Sequence, residues 1–364
     1  MWLHYFIFIY IVLTFIISKV INKKFSDKIF LFLNFLLLFI LAAFRDVSVG
    51  NDTQEYYRVF KTISLTNSIN GIFITSRFEI GYLLLNYLIT RFTNNFNVLL
   101  FITSFIYLYS VFKFIDKYSK SKFVAIMLFF TFSMYYSIFN IQRQCIAIAI
   151  FLYAIRFLEK KQYIRYVLLI LFATMFHYIA ILLIFLCFIP KIDLYNKKIA
   201  YKYIILACFA ACLIAYCITR FGIYIPYFGH YLTNSKYSEG GIRLASIALA
   251  GIRLGIIILL IIINGFKEHK SQNNLDYIFN YIAFLDCTIS LAAIKFNLYD
   301  RVEDYLCIVF LVMISNSINS LDIKTNKYII NSILILITMF YLTISLMIRS
   351  NWYGIFPYVF IGGK

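Results

Sequence analysis

The chain has 364 residues, is 63% hydrophobic and only 14% charged, and has a mean hydropathy of +0.84; an ordinary globular domain carries about a quarter charged residues. That composition excludes a water-soluble domain and leaves an all-α fold class, a polytopic bundle of transmembrane helices. The net charge of +18 is the basic bias expected of cytoplasmic loops in such a chain, and no nucleic-acid partner is expected.

A crossing takes about 20 apolar residues, and runs of that kind recur from Trp2–Ile17 and Ile29–Phe44 through Asn97–Ile115 to Tyr328–Ile348. The first run has no basic residue before it and no small-residue cleavage site after it, so it reads as a membrane helix rather than a removable signal.

Lysine sets the expected topology. Eighteen of the 22 lysines fall in six short loops, Lys19–Lys28, Lys113–Lys122, Lys160–Lys161, Lys191–Lys202, Lys267–Lys270 and Lys324–Lys327. With those loops cytoplasmic, the N-terminus, Arg45–Arg91, Tyr135–Arg143, His177, Arg220–Arg243, Lys295–Arg301 and the C-terminal tail lie outside. About twelve spans result, in a single integral membrane domain over residues 1–364.

Two segments are constrained further. Phe78–Phe92 cannot cross without inverting the loop after it, so it is expected to be an amphipathic or partly embedded helix on the outer face. Tyr163–Ile189 lies between two basic loops, so it is expected to be two half-length helices turning near His177.

Arginine follows the opposite distribution: ten of the twelve arginines fall on the outer side or within spans. Guanidinium grips phosphate and carboxylate through a planar fork of donors, and membrane-embedded charge marks function. An outward-facing anion site is the inference. The seven cysteines lie in apolar runs without zinc or haem spacing, so neither a metal, a cofactor nor a disulfide is expected.

The polar residues between the runs form five clusters. The first is Phe44-Arg45-Asp46 followed by Val49-Gly50-Asn51-Asp52-Thr53 and Tyr56-Tyr57, where Asp52 is a helix cap, a catalytic or acceptor-binding carboxylate, or both. The second is Arg77-Phe78-Glu79-Ile80-Gly81-Tyr82, readable locally as a surface ion pair. The third, Asn140-Ile141-Gln142-Arg143-Gln144, leads straight into an apolar helix, which suits an arginine facing a wet cavity or an anion. The fourth is Phe176-His177-Tyr178, and the fifth is Tyr299-Asp300-Arg301 with Glu303, Asp304 and Tyr305. The tail Trp352–Tyr358 follows, with aromatics suited to interfacial anchoring.

Taken in order, these residues resemble the EpsG branch of the Wzy-type polysaccharide polymerases over most of the chain. The resemblance is carried by Phe44-Arg45 with Gly50-x-Asp52-Thr53 and Tyr56, Phe78-Glu79-x-Gly81-Tyr82, Arg143-Gln144-x-Ile146-Ala147, Phe176-His177, Arg301 with Tyr305, and Pro357-Tyr358. Asn51 departs from the threonine usual at that position.

What the resemblance implies is a glycosyltransferase that joins undecaprenyl-pyrophosphate-linked oligosaccharide repeat units at the outer face of the bacterial cytoplasmic membrane; with guanidinium groups to stabilise the leaving group and no second nucleophile evident, metal-independent chemistry with inversion at the sugar is expected. Its partners would be that lipid-linked oligosaccharide and the bilayer, with a chain-length regulator and a flippase as further candidates. Arg45, Arg143 and Arg301 would bind the pyrophosphate, stabilising the departing charge. Asp52, Glu79 and His177 would supply the base that activates the acceptor hydroxyl, and Gln144, Tyr56 and Tyr305 would bind substrate. The alternatives are a transporter or flippase of lipid-linked saccharides, which would more often show repeated halves, and a glycan ligase. The sugars, the linkage, and the choice between capsule, exopolysaccharide and O-antigen stay open.

Overall fold

The computed structural model describes residues 2–66, 71, 77–188, single positions between 202 and 220, and residues 244–264, 274–295, 299–319, 324–348 and 351–363. Lys191–Lys198, Lys267–Lys270 and the segment 221–243, which the topology reading used, lie outside the described residues.

In chain order the helices are α1 (Trp2–Ile21), α2 (Ser26–Ala43), α3 (Thr53–Ser64), α4 (Ile80–Thr90), α5 (Phe96–Tyr118), α6 (Lys122–Thr131), α7 (Ser137–Asn140), α8 (Gln142–Glu159), α9 (Tyr163–Thr174), α10 (Leu244–Asn264), α11 (Asn274–Ala293), α12 (Asp300–Asn319) and α13 (Lys324–Ile348). Helices satisfy every backbone donor and acceptor within one segment, which a hydrocarbon environment demands. Seven of them, α1, α2, α5, α10, α11, α12 and α13, are long and apolar enough to cross a membrane. The count becomes eight if the bent pair Lys122–Thr131 and Met134–Asn140 is one broken span. Against the expected twelve spans, these are the seven or eight found among the described residues.

The chain forms two compact units, Met1–Ile184 with Tyr328–Lys364, and Phe185–Lys327. In the first, α1 and α2 pack together around a buried polar link, Asn34 Nδ2 donating to Thr14 Oγ1 at 2.9 Å. His4 Nδ1 lies 3.0 Å from the Tyr136 hydroxyl, and Thr338 Oγ1 of α13 bonds Thr131 Oγ1 of α6 at 2.9 Å. After α6 the backbone turns through Ser133 at φ 64°, so that Met134–Asn140 runs at 64° to α6 with Tyr135, Tyr136 and Phe139 buried.

Helix α3 is the amphipathic element: Tyr56, Val59, Phe60 and Ile63 are buried while Arg58 and Lys61 are exposed, the i, i+3, i+4, i+7 spacing of one helix face. Helix α4 has 11 residues, about 16 Å of helix, which is too short to cross a core about 30 Å thick. It packs instead on α3 and α5. The segment expected to turn near His177 does so: α9 ends at Thr174, and a 3₁₀ helix, Tyr178–Cys187, follows. The two arms are tied by the Tyr166 hydroxyl donating to the Leu183 carbonyl at 2.7 Å.

The second unit contains α10, α11 and α12, with α11 packed on both α10 and α12.

Candidate functional site

The first cluster is locked to the C-terminal tail. Ile361 N–H donates to the Phe44 carbonyl at 3.0 Å and Asp46 N–H to the Val359 carbonyl at 2.9 Å, placing Arg45 opposite Phe360. Arg45 is fully buried. Its Nη1 donates to the Ala42 carbonyl, its Nη2 to the Ile138 carbonyl at 3.1 Å, and its guanidinium lies 4.9 Å from the centre of the Phe139 ring. It thus satisfies a carbonyl at the end of α2 and joins α2 to α7. The fold encloses this guanidinium, which was expected to bind pyrophosphate.

The turn that follows is equally confined. Gly50 has φ +98°, its N–H donates to the Gly354 carbonyl at 2.7 Å, and a Cβ added to it would come within 2.2 Å of the Phe139 carbonyl oxygen. Only glycine combines that conformation with that approach. Asn51 donates through its backbone to Asn140 Oδ1 and through Nδ2 to the Trp352 carbonyl, each at 2.7 Å. Thr53 Oγ1 donates to the Val49 and Phe139 carbonyls at 2.7 and 3.1 Å. Asp52 stands exposed at the start of α3 and makes no side-chain capping bond, so of its two readings the capping one is not realised.

The second, third and fourth clusters meet at one corner. Glu79, buried at the N-terminal end of α4, receives Arg143 Nη1 on Oε2, while its Oε1 accepts the Tyr178 backbone N–H at 3.4 Å. One carboxylate therefore links α4, α8 and the turn that carries His177. The Arg143 guanidinium stacks 4.1 Å from the centre of the Phe78 ring, and the Tyr56 hydroxyl interacts with it from α3. The rings of Tyr56, Phe78 and Tyr82 close the corner at 5.5 to 5.8 Å from one another. His177 is buried beside Glu79's partner Tyr178, its backbone anchored through N–H to the Ala173 carbonyl at 3.1 Å.

Gln144 is buried in the first turn of α8. Its neighbour Gln142 accepts the Tyr82 hydroxyl at 3.3 Å. Two buried donors here, Arg143 Nε and Gln142 Nε2, have no hydrogen-bond acceptor among the described residues. Buried polar atoms are nearly always bonded, so such a pair calls for a physical explanation, and an anionic or hydroxyl-rich ligand supplies one. The Arg143 side chain keeps 24% of its surface accessible, enough to be reached.

Arg301 and Tyr305 belong to α12 of the second unit; Arg301 is half-buried and Tyr305 fully buried. Within that unit lies a cluster that sequence reasoning passed over, Arg253 with Asp286 and Glu303. The available signal was a lone arginine and a lone aspartate, each inside an otherwise apolar run.

A family model described as the EpsG family matches residues 28–360. No curated protein and no solved structure matches the chain.

Proposed function

The chain belongs to the EpsG family, of polysaccharide-polymerase-like membrane proteins, and on that premise we propose that it joins undecaprenyl-pyrophosphate-linked oligosaccharide repeat units at the outer face of the bacterial cytoplasmic membrane. The observation that supports this reading most is the Glu79–Arg143 corner, where a held guanidinium and an adjacent amide keep buried donors without acceptors among the described residues.

In the proposed reaction the acceptor hydroxyl attacks the anomeric carbon of the donor sugar and the bond to pyrophosphate breaks. Arg143 stabilises the departing negative charge, a role that needs fixed donors aimed where charge develops. Glu79, engaged on both oxygens, orients Arg143 rather than serving as the base. The base is then Asp52 or His177, which takes the acceptor proton. Tyr56 lines the same corner as a substrate contact, and Gln144, Arg301 and Tyr305 are further substrate contacts on the family pattern. Arg45 acts by positioning, because its nitrogens hold the end of α2 and α7.

The test is to incubate purified protein with a lipid-pyrophosphate-linked repeat unit and resolve the products by size. A ladder of multiples that disappears in Arg143→Ala supports the polymerase. Repeat units moved intact across a vesicle membrane would instead establish a transporter, and transfer of finished glycan to another acceptor a ligase.

A further inference from the structure

The second unit carries a buried charge cluster that the proposed polymerase chemistry does not use. Arg253, in the middle of α10, is almost fully buried. Its Nε donates to Asp286 Oδ2 of α11 at 2.8 Å, and its Nη2 pairs with Glu303 Oε1 of α12. The same Nη2 lies 3.6 Å from Cys307 Sγ. Asp286 is fully enclosed and Glu303 nearly so. Asp286 Oδ1 is buried without a hydrogen-bond partner among the described residues.

The charge count decides what this arrangement can hold. One guanidinium faces two carboxylates, which leaves one negative charge uncompensated in a place where unpaired charge is strongly unfavourable. Among the described residues the other titratable groups acting on the cluster are the thiols of Cys287 and Cys307 and the carboxyls of Asp300 and Asp304. None of these supplies positive charge, and Arg301 acts on Asp304. Among the described residues neutralisation by a proton is the remaining route, and Asp286 Oδ1, which receives no donor, is one oxygen open to it.

We infer that Arg253, Asp286 and Glu303 form a buried proton-binding site in which the two carboxyls share one proton drawn from solvent. The balanced cluster clamps α10, α11 and α12 together. Glu303 is two residues from Arg301, and at about 100° per residue the two side chains leave α12 on nearly opposite faces. Holding Glu303 inward therefore fixes the face that Arg301 presents.

The site is read from the protein alone and does not depend on the polymerase reading. Infrared spectra of the full-length protein in lipid nanodiscs at neutral pH report protonated carboxyls by their C=O stretch. The wild type is expected to show that band. Asp286→Asn matches the protonated side chain in shape and is expected to fold; like Glu303→Gln, it leaves one carboxylate against one guanidinium and is expected to lose the band. A wild-type spectrum without the band, or a band of unchanged intensity in either variant, would overturn the site.

Discussion

The Gly81 N–H donates to the Met175 carbonyl at 2.7 Å, and a Cβ added at Gly81 would stand 2.7 Å from that same oxygen. This contact seats the start of α4 on the turn that carries His177, two residues from the carboxylate that holds Arg143. Gly81→Ala is expected to force the backbone of one partner to shift, costing about 2 kcal/mol, and to lower polymer output out of proportion to the loss of stability. Thermal unfolding in detergent and product ladders from the same preparation check both; a variant with wild-type stability would show that the turn gives way freely.

Arg143→Lys keeps the charge beside Glu79 but loses the planar fork and its Nε donor. We expect normal insertion and near-normal stability, with polymerisation reduced by about 100-fold, the usual consequence of removing one charge-stabilising donor. An active lysine variant would mean that Arg143 acts only as a counter-charge.

Glu79→Ala should be worse for the fold than Glu79→Gln. Breaking a buried ion pair from one side costs about 3 kcal/mol or more; the lower figure applies because Arg143 keeps a quarter of its side-chain surface accessible. Glutamine retains an acceptor for the Tyr178 N–H. Equal melting temperatures for the two variants would remove the structural role assigned to the pair.

Asp52→Ala separates chemistry from capping. Replacing a capping residue costs about 1 kcal/mol, but Asp52 makes no side-chain capping bond. The expected stability change is therefore below about 0.5 kcal/mol, while product formation falls if Asp52 is the base. A large drop in melting temperature would return Asp52 to a structural role.

The tail offers a fifth residue-level test. Tyr358 donates its hydroxyl to the Leu41 carbonyl at 2.6 Å, and burial pushes its phenol above the usual value, so the donor persists into alkaline solution. Tyr358→Phe is expected to cost about 1 kcal/mol. Limited proteolysis should then release the tail sooner than in the wild type, and an unchanged cleavage rate would show that the backbone pairing of Phe44 and Asp46 suffices.

Much of this architecture was legible in the residues. The apolar runs gave α1, α2, α5 and α13 close to their observed limits, and two basic loops flanking Tyr163–Ile189 called for a chain reversal, which occurs between Thr174 and Tyr178. Phe78–Phe92 was expected to be an amphipathic or partly embedded helix; the helix there is short and apolar, and the amphipathic face belongs to α3. Glu79 was readable as a surface partner of its neighbour Arg77; packing joins it to Arg143 instead.

Sequence by itself determined that this chain requires a bilayer, which segments are apolar enough for it, and which polar residues mark the family. Those are local properties: transfer free energy sums along a helix, and a motif is a string. Tertiary structure decided which of those residues meet. It enclosed Arg45 among carbonyls, held the turn at Gly50 under the tail at Gly354, brought Glu79 to Arg143 and the His177 turn, and gathered Arg253, Asp286 and Glu303 from three helices. Such partnerships join residues far apart in the chain, and a buried charge or donor acquires its chemistry from whatever packing sets against it.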